Sequence, residues 1–262
     1  MSAVELTVTD HIATVVIRSA ATRNAIDIDV VRRMHGALDE IQKAGPSVRA
    51  LVITGSNGVF CSGVDLRSVD LETPEGRQRA YADLRRFMDP LVLRFNGLRH
   101  PIVAAVNGAA VGAGMSLALV SDIIVIAEDA FLWPSFARVG VVPDAGITFR
   151  LARRIGGGRA LSSLLLAEKI DAKTALDWGL AYSVVPAADL LNAAQAVAHR
   201  LAAGPCSVLA QIRHLNASAF DNSLTAQLRA ERSAQERILD GHECVEGVRA
   251  FFEKREPDFM PH

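Results

Sequence analysis

The stretch PIVAAVNGAAVGAGMSLALVSDIIVIAEDAFLWPSFARVGVVPDAG, residues 101–146, decides how the chain is read. Ile102–Val106 has the unbroken apolar character of a strand buried on both faces. Gly108, Gly112 and Gly114 come next, and a short apolar helix is expected over residues 113–120. A second buried strand is expected at Ile123–Ala127, then a loop ending in Pro143-Asp144-Ala145-Gly146. A glycine turn that feeds a helix leaves backbone N–H groups unpaired at the positive end of the helix dipole. Such amides can hold an anion or the developing charge of an enolate oxygen. Asp144, an acid in an apolar loop, is a candidate proton carrier. It reads equally well as the cap of a helix starting near Gly146.

Upstream, Val4–Thr9 and Ile12–Ile17 flank Asp10-His11 and read as a hairpin with His11 in its turn. Asp27 is placed to cap a helix reaching about Lys43, which Gly45-Pro46 ends. Residues 49–54 read as a buried strand and 55–63 as a loop running into Val64, Asp65 and Leu66. One arginine-rich helix is expected over residues 75–96, kinked or split at Pro90. Downstream, helices are expected at 147–155, 160–167, 172–178 and 188–203, with a short strand at 182–185. After Pro205 the pattern is wholly helical, over 208–219, 224–239 and 244–254. Alternating strands and helices in the first two-thirds indicate an α/β fold with a largely parallel sheet. Gly204-Pro205 is the expected boundary between residues 1–204 and a helical section, 205–262.

With 262 residues, half of them hydrophobic, the chain can bury a substantial core. A formal charge of −1 gives no overall field for nucleic acid or an anionic membrane, so neither partner is expected. Arg150, Arg153, Arg154 and Arg159 read as a solvated helix face, with a phosphorylated ligand as the alternative. Three widely spaced cysteines, Cys61, Cys206 and Cys244, suggest neither a disulfide framework nor a metal site. The opening residues lack the basic and apolar regions of a signal peptide, and no run of about 18 apolar residues occurs; a soluble, cytoplasmic protein is expected.

Two glycine turns, Ser62-Gly63-Val64 and Gly112-Ala113-Gly114, come after predicted strands at the sheet edge where ligands of open α/β folds bind. Two N–H groups converging on one carbonyl oxygen form an oxyanion hole, in which one donor is worth about 3–4 kcal/mol of transition-state stabilisation. Turns required by packing alone are the other reading. The pattern is not a dinucleotide fingerprint, since GxGxxG and a later acidic ribose ligand are missing. Ser62 and Ser116 lack a His/Asp pairing, which argues against a serine hydrolase.

Residues 60–66 (FCSGVDL), 107–114 (NGAAVGAG) and 139–146 (VGVVPDAG) resemble the crotonase superfamily, the enoyl-CoA hydratase/isomerase fold. The likeness extends to Arg23-Asn24-Ala25, to 175–179 followed by Val184-Val185-Pro186, and to residues 246–255. It implies a ββα-spiral core with a C-terminal helical trimerisation section, assembled as a homotrimer or a hexamer. It further implies an acyl-CoA thioester as ligand, with coenzyme A part of the substrate and no separate cofactor. The thioester carbonyl is expected between the backbone N–H groups of Val64 and Ala113, with Gly112 in the second turn.

The family's hydratases use two glutamates; the matching positions here are Ser116 and Phe136, so hydration is not expected. Asp144 stands where many hydratases have glycine, in a Gly-x-x-Pro-Asp run similar to that of isomerases acting on ring-epoxide or enoyl-CoA substrates of phenylacetate degradation. One carboxylate can move a proton between C2 and C4, and Phe136, Val141 and Val142 are expected to raise its pKa. The resemblance implies a structural role for Asp65. It puts the Arg23–Ala25 loop near the phosphates or pantetheine, and the backbone from Cys61, Ser62 and Gly63 through Asp65 and Leu66 near the adenine. Phe251 and Lys254 match positions that reach a nucleotide, commonly that of a neighbouring subunit. Two alternatives stay open. One is an acyl-CoA-binding protein with weak or no turnover. The other is an aryl-CoA dehalogenase with Asp144 as nucleophile, weakened because the helix before Pro101 holds no histidine.

Overall fold

The computed structural model describes residues 3–260. The chain opens on a hairpin of β1 (Val4–Thr9) and β2 (Ile12–Ile17), whose turn residues Asp10 and His11 have φ of 47° and 63°. Two left-handed residues give a hairpin turn the twist its strands need. In α1 (Ile28–Lys43), Val30 N–H donates to the Asp27 carboxylate at 2.8 Å, and Val30, Met34, Leu38 and Ile41 are buried at helical spacing.

Three times the chain then lays down a buried strand, a short second strand and a helical connection. β3 (Ala50–Gly55) and β4 (Val59–Cys61) lead to α2 (Pro74–Asp83) and α3 (Asp89–Gly97). β5 (Ile102–Val106) and β6 (Ala109–Val111) lead to α4 (Ala113–Leu119). β7 (Ile123–Ala127) and β8 (Phe131–Trp133) lead to α5 (Ile147–Ile155) and α6 (Gly157–Leu166). After β9 (Ile170–Asp171), α7 (Ala172–Asp177) and β10 (Ser183–Val185), α8 (Leu190–Ala202) packs across β3, β5 and β7. Its buried face is Leu190, Ala194, Ala198 and Ala202, a row of mostly small side chains that lets the helix approach the sheet closely. One sheet has the order β1-β2-β3-β5-β7-β10 and is parallel beyond the hairpin; the other, β4-β6-β8-β9, is parallel except for its last pair.

The second sheet corrects the sequence reading, which makes residues 55–63 a loop and gives no strand at Ala109–Val111. Strands of two or three residues are too short to show alternation, and they exist because their backbones pair across successive turns of the spiral. The helix expected over 75–96 is also divided: a π-helical turn, Leu84–Met88, separates α2 from α3. Pro90 then falls in the first turn of α3, where its missing N–H is not needed.

Buried Arg49 donates to the carbonyl oxygens of Ala202, Gly204 (2.8 Å) and Phe259 (2.9 Å), tying the Gly204-Pro205 corner and the end of the chain to the sheet. Beyond that corner lie α9 (Cys206–Ala219), α10 (Leu224–Leu239) and α11 (His242–Glu253). Three of the four α5–α6 arginines also depart from the expected solvated face. Arg150 reaches Asn96, Arg154 donates to Ser121 O, and Arg153 pairs with Asp221 at 2.8 Å, so α5 is tied to its surroundings; Arg159 is exposed.

Candidate active site

β4 and β6 are parallel neighbours, with Val59 opposite Ala109 and Cys61 opposite Ala110. Two parallel strands end at the same edge of their sheet, so Gly63-Val64 and Gly112-Ala113 leave it side by side. Their backbones touch. A Cβ on Gly63 would stand 2.8 Å from Val111 O and 3.8 Å from Ala113 N, and one on Gly114 would stand 2.3 Å from Cys61 O. Gly63 also has a φ of +92°. The glycines at these two positions are what allow the turns to meet.

A parallel bridge joins Ile26 to Val64: Ile26 N–H donates to Gly63 O at 2.7 Å, and Asp65 N–H to Ile26 O at 2.9 Å. Extended backbone alternates its N–H groups, so the Val64 N–H is turned away from Ile26. Ala113 is the first residue of α4, where an N–H has no partner within the helix. Among the described residues neither amide is taken up by a hydrogen bond. The adjacent Gly112 N–H is already committed to Trp133 O at 2.8 Å.

Val64, Ala113, Phe136 and Asp144 line one cavity of about 500 Å³. Its wall is mostly apolar: Ile26 and Val31 from the start of α1, Phe87 and Met88 from the π-helical turn, and Val139, Val141 and Val142 ahead of Asp144. The Asp144 carboxyl has one oxygen, Oδ1, buried without a hydrogen-bond partner. Burial, with the negative charge of Asp89 second, pushes its pKa from 3.8 up to about 6. Val142 is 82% exposed, so it forms the rim and does not bury the acid as expected, whereas Phe136 is buried. The capping reading of Asp144 fails, because α5 begins after Gly146 and no side chain caps it. Ser116 is fully buried, its Oγ donating to Gly112 O at 3.4 Å and to Asp144 O at 3.3 Å. Neither Ser116 nor Phe136 offers a second acid.

The remaining candidates hold the turns or stand elsewhere. Asp65 accepts from Arg67 N–H at 3.2 Å and pairs with the Arg67 guanidinium at 3.0 Å, which holds its carboxyl below the usual range. Leu66 and Gly63 are on the cavity wall. Ser62, also on the wall, donates its Oγ to Thr22 O at 3.0 Å and its N–H to Arg23 O at 3.2 Å. Arg23 is exposed and Ala25 buried; their loop braces the first turn without forming the wall. Cys61 is buried in β4, which pushes its thiol up to about 12. Phe251, 78% exposed, and Lys254 lie at the end of α11, off the cavity wall of their own chain. The sequence reading misses Phe87 and Met88, since helical periodicity carries no mark of a π-helical turn. Among the described residues, no His/Cys/Asp/Glu group is placed to hold a metal, and no helix is long and apolar enough to cross a membrane.

The family model described as enoyl-CoA hydratase/isomerase matches residues 7–261. The chain is 36% identical to a 1,2-epoxyphenylacetyl-CoA isomerase of Escherichia coli (strain K12), over 86% of this chain and 87% of that one. It is 31% identical to a carnitinyl-CoA dehydratase of Proteus mirabilis (strain HI4320), over 90% of each. Among solved structures, an enoyl-CoA hydratase from Polaromonas sp. JS666 superposes with a TM-score of 0.89 at 32% identity, covering 97% of this chain and 98% of that one. The α/β spiral with its helical C-terminal region is thus the crotonase fold. On the breadth of these matches, the chain belongs to the enoyl-CoA hydratase/isomerase family.

Proposed function

We propose that this protein is an enoyl-CoA isomerase that shifts a double bond through a thioester enolate, with Asp144 as its sole acid/base. The observation that carries the reading is the shared cavity wall: the unpartnered amides of Val64 and Ala113 and the unpartnered carboxyl of Asp144 border the same apolar space. In this reading both N–H groups donate to the thioester oxygen, and the charge that develops there as the C2–H bond breaks is stabilised where water is scarce. Asp144 takes the C2 proton, the dienolate spreads its charge toward C4, and Asp144 returns the proton to C4. A carboxyl poised near pH 6 is neutral after the first step and ionised before it, so one group serves both. Coenzyme A enters with the substrate and no further cofactor takes part.

A second reading, hydration, is favoured by the names of relatives, a hydratase and a dehydratase among them. It asks Asp144 to activate water and protonate carbon without a partner, since Ser116 and Phe136 stand at the family's glutamate positions. Asp144→Ala separates the readings from mere binding: turnover of 3-enoyl-CoA is lost while acyl-CoA affinity stays within a few-fold. Retained turnover overturns the assignment.

The homotrimer or hexamer belongs to the same proposal. Leu224, Phe251 and Phe252 are 76%, 78% and 76% exposed, more apolar surface than an isolated helical section leaves to water. Phe251 and Lys254 would then meet the nucleotide of a neighbouring subunit. Light scattering on the eluted protein gives the mass directly.

A further inference from the structure

We propose that Asp89 is a positioning residue for the reaction, its carboxylate set against Asp144 so that the site holds a pair of acids that resist joint ionisation. The proposal rests on the isomerase reading for its catalytic consequence, and on the packing of α3 for its geometry. Met88, the residue before Asp89, lines the cavity that Asp144 borders. One turn on, Val92 lies against the loop that carries Asp144: a Cβ on Gly146 would stand 3.6 Å from Val92 Cγ1. Residues three apart share a helix face, so Asp89 is on the face of α3 turned to that loop. The π-helical turn at Leu84–Met88 sets this phase. Such single turns re-aim the residues after them and recur at functional sites.

The surrounding charges leave Asp89 free to act. Arg85 and Arg86 are one turn back, yet the Asp89 carboxylate makes no ion pair among the described residues, and Arg86 lies over the Phe87 ring at 5.2 Å. From α4, Asp144 meets Ser116; from the turn at Ser135–Val139 it meets Phe136, while Arg138 turns to Trp133. Arg150 of α5 is directed to Leu119 O and Asn96. Asp27, Asp70, Arg79 and Asp83 border the same cavity. Of all these charges, the one that acts on Asp144 is Asp89, and it raises the carboxyl in the same direction as burial does. A like charge at this place makes Asp144 a stronger base when ionised and keeps its proton available for C4 when neutral.

Asp89→Asn tests this. The acid limb of the kcat/KM profile moves to lower pH by about half a unit to one unit, and the plateau rate falls because a weaker base remains. Asp89→Glu keeps the wild-type midpoint. The Asp144 carboxyl is also titrated directly, by carbon NMR of protein labelled at the Asp side-chain carbon, with Asp144→Asn identifying its signal. That midpoint falls by the same amount in Asp89→Asn. An unmoved Asp144 midpoint overturns the proposal, whatever the turnover. Absent turnover together with a moved midpoint overturns the isomerase reading and leaves the acid pair standing.

Discussion

Asp144→Asn should make the protein more stable at neutral pH, and the size and pH dependence of the gain are set by the site. The wild-type carboxyl is half-buried, has one oxygen without a partner, and has its pKa raised from 3.8 to about 6. A folded-state pKa above the unfolded value means that folding favours the neutral acid. As regards this group, the fold is therefore most stable below pH 3.8 and loses that stabilisation as pH rises through about 6. A rise of about two units corresponds to a ceiling of about 3 kcal/mol, reduced by water at the cavity mouth. Asparagine has the same shape and no charge to desolvate. Its advantage over wild type should be small at pH 4, grow between pH 4 and 6, and be constant above that. Thermal melts at fixed protomer concentration read it, at about 2–4 °C per kcal/mol for a chain of this size. An advantage of equal size at pH 4 and 7.5, or none at 7.5, would refute the buried, unpartnered acid.

The same geometry yields other outcomes. Gly114→Ala puts a Cβ 2.3 Å from Cys61 O, so the two turns must part; soluble yield and melting temperature should fall, and acyl-CoA binding with them. Ser116→Ala removes only long hydrogen bonds of 3.4 and 3.3 Å and should leave turnover within about tenfold, which kinetics on the variant would check. Arg49→Ala frees the carbonyls of Ala202, Gly204 and Phe259; hydrogen exchange should rise at the start of α9 and near Phe259 before it rises in β3. Cys61, buried and with a thiol pushed up to about 12, should resist iodoacetamide in the native protein and react once it is denatured, as mass spectrometry would show.

How far the sequence foretells the molecule depends on the length of each signal. The Asp10-His11 hairpin, the Asp27 cap and the helix at Ile147–Ile155 each carry a turn, cap or period that one local stretch displays. The strands of the second sheet carry none, because three residues such as Val59–Cys61 become a strand only when Ala109–Val111 arrives beside them. That pairing is also what brings Val64 to Ala113. In the sequence their convergence is implied only by a family resemblance; its physical cause is a sheet that no local pattern announces. Arg49 reads in the sequence as the first residue of a strand; its work, gathering carbonyls from the end of the chain, is visible only in three dimensions. Asp144 reads equally as cap and as acid, and the backbone at Gly146 decides between them, because the helix starts there without a side-chain cap.

The most direct test of the central claim is to incubate the protein with a 3-enoyl-CoA in heavy water and monitor the products by NMR. The account predicts 2-enoyl-CoA, formed by wild type and not by Asp144→Asn, with deuterium at C4 to the extent that the Asp144 proton exchanges before its return. Formation of 3-hydroxyacyl-CoA as the first product, or equal turnover by wild type and Asp144→Asn, would contradict it.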